Sequence, residues 1–234
     1  MGRTGDRKSP ERGSVKRHRD FARLRRPSKR SRLAAEAFAL FVALPAVFLI
    51  EISRSITTVI ILGGLAYVAA IIWRFRLNRA FSFGLARYRE LAPVFVRFVV
   101  FAILTTIAVA VIMPEYLFYV VRENPRLWLL ILGVYCCFSV YPQTIVYRGF
   151  FMERYRPLLR SDGMLVLANA IAFSWAHTLI ANPLVYSFTF IGGILFSITY
   201  LRTRSLLAVA IEHALYGFWL FTVGLGMYFA FPAP

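Results

Sequence analysis

The chain has 234 residues, of which 59% are hydrophobic and only 17% charged, and it carries a net charge of +17 at neutral pH. That balance is too apolar for an ordinary soluble domain of this length. Apolar runs of spanning length, about 17–25 residues each, recur along the sequence. They predict an all-α, polytopic transmembrane helical bundle of about seven to eight spans behind a disordered basic N-terminal tail.

Residues 1–33 hold 13 Lys and Arg against three acids, and every lysine of the protein lies there. Such a segment cannot bury a core, which predicts disorder. A basic arm for nucleic acid is one reading. A tail that sets topology and touches anionic lipid headgroups is the better one, so membrane lipid is the expected partner and nucleic acid is not. The long charged region with no small-residue cleavage site argues against a cleavable signal peptide.

Beyond the tail, residues 34–234 are expected to form one membrane domain. The spacing predicts spans over 34–51, 55–73, 96–113, 127–141 and onward, 163–181, 184–201 and 205–231. The connection 74–97 alternates arginines with Phe, Leu and Tyr, which suits an amphipathic helix at the inner surface. With the tail inside and the spans alternating, 25 basic residues fall on inner segments and three on outer ones. The positive-inside rule demands that asymmetry. The expectation is an integral, multi-pass protein with a cytoplasmic N-terminus, in a bacterial inner (plasma) membrane. The cysteines, Cys136 and Cys137, are adjacent and read as packing residues, because neighbours in sequence rarely form an unstrained disulfide.

Polar residues interrupt the apolar pattern in three places after residue 130: Gln143, Thr144 and Arg148; the segment NAIAFSWAH over 169–177; and IEHALYG over 211–217. Asn169, Phe173 and His177 are four apart and form one helical stripe. Two histidines from two helices, His177 and His213, could hold a zinc ion, with a carboxylate as general base. The alternative is that each histidine hydrogen-bonds a neighbour in the bundle. Intramembrane polar residues are costly, which favours function. For Arg148 two readings stand: a site role, or snorkelling to the inner interface.

Together these segments resemble the CAAX-protease and bacteriocin-processing family of intramembrane metalloproteases, over about residues 127–217. The family pattern is E-E-x-x-x-R, then F-x-x-x-H, then H-x-x-x-N or D. Here Phe173 and His177 complete the second motif, His213 begins the third, and Arg148 ends the first. The resemblance implies His177 and His213 as ligands of zinc or another divalent metal, and a membrane-associated peptide or protein as substrate. It implies Gln143 and Arg148 as further catalytic-site residues, with Gln143 orienting water and Arg148 stabilising the site or binding a substrate carboxylate.

The departures fall on the chemistry. Gln143 and Thr144 stand where the two glutamates belong, and Gly217 stands where Asn or Asp belongs. An amide has no useful basicity. Glu153 lies ten residues after Gln143, roughly 15 Å along a helix, and reads as a surface ion-pair partner of Arg154 or Arg156. Glu212, beside His213, is a weak substitute base. Two functions follow. One is a zinc-dependent endopeptidase cutting near the membrane face, weakened by loss of its base. The other is an inactive relative, a pseudoenzyme, binding a membrane peptide or protein partner. A small transporter is a third reading, and no internal repeat or paired acid supports it.

Overall fold

The computed structural model describes residues 28–50, 53–75 and 88–229. The basic tail up to residue 27, and residues 76–87 of the expected surface helix, lie outside the described residues. Among those described, eight helices and no strand form the fold: α1 Lys29–Leu49, α2 Arg54–Arg74, α3 Tyr88–Ile112, the short α4 Tyr119–Glu123, α5 Pro125–Arg154, α6 Asp162–Trp175, α7 Pro183–Thr203 and α8 Leu206–Val223. Stretches within α1, α2, α3, α5, α7 and α8 are long and apolar enough to cross a membrane. Their outward faces carry exposed Val, Ile, Leu and Phe, such as Val111, Ile112 and Phe138. In water such a surface would aggregate; in a bilayer it meets lipid while each helix satisfies its own backbone.

Boundaries follow local chemistry. α1 begins at Lys29, inside the segment expected to be tail, because the Ser28 hydroxyl accepts from the Ser31 amide at 3.0 Å and caps the helix. α3 begins at Tyr88, well before the expected span at 96. Asn124 and Pro125 open α5, the Asn124 side chain accepting from the Leu127 amide at 2.9 Å. At 30 residues α5 is about 45 Å long, well over the roughly 30 Å apolar core of a bilayer. The expected span at 163–181 is different. α6 ends at Trp175 after 14 residues and tightens into a 3-10 turn, Ala176–Leu179. At about 21 Å it is too short to cross alone and sits among the longer helices.

α6 and α7 pack most closely. A Cβ placed on Gly193 would meet the Ala170 Cα at 2.7 Å, so only glycine lets these backbones approach. One end of the bundle is tied by charge. Arg154 donates through Nε and Nη2 to the two oxygens of Glu36 on α1, both at 2.9 Å, and the Tyr155 hydroxyl donates to Glu36 at 2.9 Å. Burial, and then the Glu36 charge, push the Tyr155 phenol above its usual range. Glu153 does not pair with Arg154 or Arg156 as expected. It bonds Arg204 at 2.7 Å and accepts from the Tyr200 hydroxyl at 3.0 Å, while Arg156 pairs with Asp162 at 2.7 Å. Successive helical positions point about 100° apart, which sends these neighbouring side chains to different partners.

Gly193→Val is expected to lower the thermal unfolding temperature in detergent, through an overpacking penalty of about 1–3 kcal/mol. Gly133→Ala, where a Cβ meets nothing within 4 Å, should leave it unchanged or raise it.

Candidate functional site

The polar residues converge on a cavity of about 950 Å³ in the middle of the bundle. Its polar wall comes from α5. Tyr135, Ser139, Gln143 and Tyr147 all line it, and they recur every four residues. In a regular α-helix such a stripe drifts about 40° per step. α5 is instead wound as π-helix over Tyr135–Val140 and again over Ile145–Phe151, with one α turn between. The wider i→i+5 turns counter the drift and hold the stripe on the cavity face.

α6 supplies the second wall. Asn169 is fully buried and structural: its Nδ2 donates to the Tyr147 carbonyl at 2.7 Å, and its Oδ1 lies 2.9 Å from the Ser197 hydroxyl. That pins α6 to α5 and α7. Phe173, one turn on, is the hub of the site. Its ring meets His177 edge-on at 5.0 Å and His213 at 5.6 Å, and it also contacts Tyr147 at 5.1 Å and Phe196 at 6.1 Å. His177 Nδ1 is 2.8 Å from the Phe173 carbonyl. A carbonyl only accepts, so Nδ1 carries the proton and Nε2 keeps its lone pair. Trp175, in the same motif, donates from Nε1 to the Val42 carbonyl at 3.0 Å and fastens α1 over this end.

α8 brings His213 and Gly217. Both histidines line the one cavity. A Cβ on Gly217 would lie 1.7 Å from the Tyr135 hydroxyl oxygen. The phenol therefore occupies the space a side chain at 217 would need, one turn from His213, with its ring 6.1 Å from the imidazole.

Arg148 does not snorkel. It is 0% exposed. Nη2 donates to the Gly193 carbonyl at 3.3 Å, and the guanidinium lies over the rings of Phe173 (4.5 Å), Phe196 (5.2 Å) and Tyr147 (5.9 Å). Its Nε and Nη1 have no partner, and among the described residues no carboxylate touches it. Gln143 Nε2 donates to the Ser139 hydroxyl at 3.0 Å, leaving Oε1 buried and unbonded, as is the Thr144 hydroxyl. Glu212, the proposed substitute base, is spoken for: it is 0% exposed and its Oε1 accepts from Arg97 of α3 at 2.8 Å.

This geometry defines a polytopic helical membrane protein with a largely apolar cavity that carries a few polar side chains on its wall. Residues 124–219 match the model of the Rce1-like family, described as type II CAAX prenyl endopeptidase Rce1-like, and over that segment the chain is similar to the CAAX proteases. Comparison with curated proteins and with solved structures finds no match.

For the zinc this family implies, the residues fall short. A catalytic zinc takes three protein ligands. Among the described residues no three His, Cys, Asp or Glu side chains cluster closely enough to hold a metal ion. The cavity face offers two imidazoles, one amide, the phenols of Tyr135, Tyr147 and Tyr216 and the hydroxyls of Ser139 and Thr189, with the guanidinium of Arg148 behind them. Sequence reasoning missed Tyr135, Ser139, Tyr147, Phe196 and Arg97 as neighbours of the site. The four-residue polar stripe on α5 was the available signal for the first three.

Breaking the Arg97–Glu212 pair leaves a charge buried in apolar surroundings. Glu212→Gln and Arg97→Gln are each expected to destabilise by roughly 3 kcal/mol, Glu212→Gln less because the arginine it leaves unpaired is 28% exposed whereas Glu212 is fully buried. The double variant should lose less than the sum, read by thermal unfolding in detergent.

Proposed function

We propose that this CAAX-protease-like membrane protein binds an apolar ligand or membrane peptide in its internal cavity without hydrolysing it. The observation that carries the reading is the replacement of acid chemistry throughout the site. Gln143 faces the cavity where a general base belongs, Gly217 and the Tyr135 phenol fill the place of a third polar ligand, and Glu212 is held by Arg97. Loss of a general base alone lowers a rate by about 10²–10⁴. The tail is read as cytoplasmic from the charge asymmetry, to which Arg148 and Arg97 contribute less than they do in the raw count, because both lie within helices and not in loops.

A second reading, a slow zinc-dependent endopeptidase, is favoured by one feature: His177 keeps a free Nε2 lone pair in a cavity that His213 also lines. Metal content and turnover separate the two. Under the binding reading, purified protein holds well under one zinc per chain, His177→Ala does not change that content, and quenched-fluorescence membrane peptides stay intact. Stoichiometric zinc that disappears in His177→Ala, together with cleavage that Gln143→Glu accelerates, would establish the peptidase and end the binding proposal.

A further inference from the structure

We propose that the cavity takes an amphiphile with a single carboxylate head and a long apolar chain, a fatty-acid-like ligand, with Arg148 as its counter-charge. This rests on the reading of the cavity as a binding site and names the ligand class.

The charge is the starting point. Arg148 is wholly buried, and two of its nitrogens, Nε and Nη1, are unbonded. The acid nearest in influence, Glu212, is neutralised by Arg97. The positions one helical turn before Arg148 on its own helix are Gln143 and Thr144, both uncharged. One positive charge is therefore left over at the centre of the fold. Arg148 is not itself on the cavity wall; the rings it lies over, Tyr147, Phe173 and Phe196, are. A single layer of rings separates its charge from the cavity, and the Phe173 ring also meets both His177 and His213. In surroundings of low dielectric, attraction across such a distance is little screened.

The wall itself carries a donor. The Tyr135 hydroxyl is lodged against Gly217, and its ring lies 6.1 Å from the His213 imidazole. A phenol donates well to a carboxylate, and a charge-assisted bond of this kind is about twice as strong as a neutral one. Among the described residues no acidic side chain lines the cavity, so an anionic head meets no like charge from them.

The rest of the cavity suits the chain. Its lining is largely Leu, Phe, Ile and Val. Ile61 and Leu65 of α2, and Leu130, Val134 and Phe138 of α5, both line it and are exposed on the outer surface. That surface faces lipid, so the mouth opens sideways into the bilayer, where a fatty carboxylate already resides. At about 950 Å³ the space is at the upper end of ordinary ligand pockets.

The test uses the full chain in non-ionic detergent and displacement of a fluorescent fatty-acid probe. Oleate is expected to compete about tenfold better than oleyl alcohol, the selectivity one charge-assisted contact provides. Thr144→Glu supplies the missing anion one turn from Arg148. It should abolish the preference while keeping alcohol binding, which also reports that the variant is folded. Tyr135→Phe should weaken oleate several-fold and leave the alcohol unchanged. Equal competition by oleate and oleyl alcohol in the parent, or a preference that survives Thr144→Glu, overturns the proposal. Displacement by an apolar peptide with a free C-terminus, but not by its amide and not by oleate, overturns the fatty-acid assignment. If oleate binds selectively and the parent also cleaves peptides, the non-hydrolytic reading fails and this one stands. If the parent is inert and oleate does not bind, the reverse holds.

Discussion

The guanidinium of Arg148 lies 4.5 Å from the centre of the Phe173 ring, fully buried and with no carboxylate beside it. Much of the site is arranged around that contact. A lone charge in an apolar interior costs several kcal/mol after relaxation. Three aromatic faces and one carbonyl offset it, each desolvated cation–π contact contributing about 2 kcal/mol. The Gly193 carbonyl is reachable because glycine lets α7 approach α6 so closely. Phe173, held under the cation, in turn fixes the edges of both histidines. Removing the cation would loosen the rings, and loosening the rings would release the histidines. The two imidazoles share a wall because an arginine and a phenylalanine are stacked behind it.

The winding of α5 is the second constraint. A helix of 30 residues with polar groups every fourth position would, if regular, spiral those groups around its surface. The π segments hold Tyr135, Ser139, Gln143 and Tyr147 to one face. The Tyr147 carbonyl inside the second π segment accepts from the Asn169 amide. The irregular winding is thus bonded to a side chain of the neighbouring helix. Regularising it would move Tyr135 away from Gly217 and Tyr147 away from Asn169 at once, so the packing of α6 and α8 selects the winding of α5.

The fold class was legible in the sequence because spanning helices announce themselves by unbroken apolar length: 34–51, 55–73 and 184–201 each correspond to a helix, and 205–231 to one that stops early, at Val223, where Gly224 takes a left-handed conformation. The miss at 163–181 has a physical reason. Apolar length alone does not tell where a helix stops, and α6, which exposes Met164, Leu167 and Ile171 on its outer face, ends at Trp175, where the chain tightens and the indole is drawn to the Val42 carbonyl. At the site, Gln143, His177 and His213 line one cavity, with Arg148 behind the rings of Tyr147, Phe173 and Phe196. Distant partners were not legible. Nothing local ties Arg97 to Glu212 across 115 positions, or Glu36 to Arg154 across 118. Snorkelling was open to Arg148 on sequence grounds, since arginine is flexible and lies near an inner segment. Only the aromatic cage, drawn from three helices, shows why it stays inside.

Gly217 shows most clearly how composition at one position is answered at another. Read alone, a glycine one turn after His213 is the loss of a side chain. In three dimensions the space is filled, because the Tyr135 hydroxyl sits where the Cβ would be. The two residues are alternatives for one volume: a larger residue at 217 requires a smaller one at 135, and a smaller one at 135 alone opens a hole beside His213. The exchange also changes chemistry. It places a weakly acidic phenol, mounted on α5, next to an imidazole on α8, in a cavity that no carboxylate of the described residues lines. The buried cation behind the rings and the hydroxyl on the wall are thus not offset by an acidic side chain among the residues that line the space.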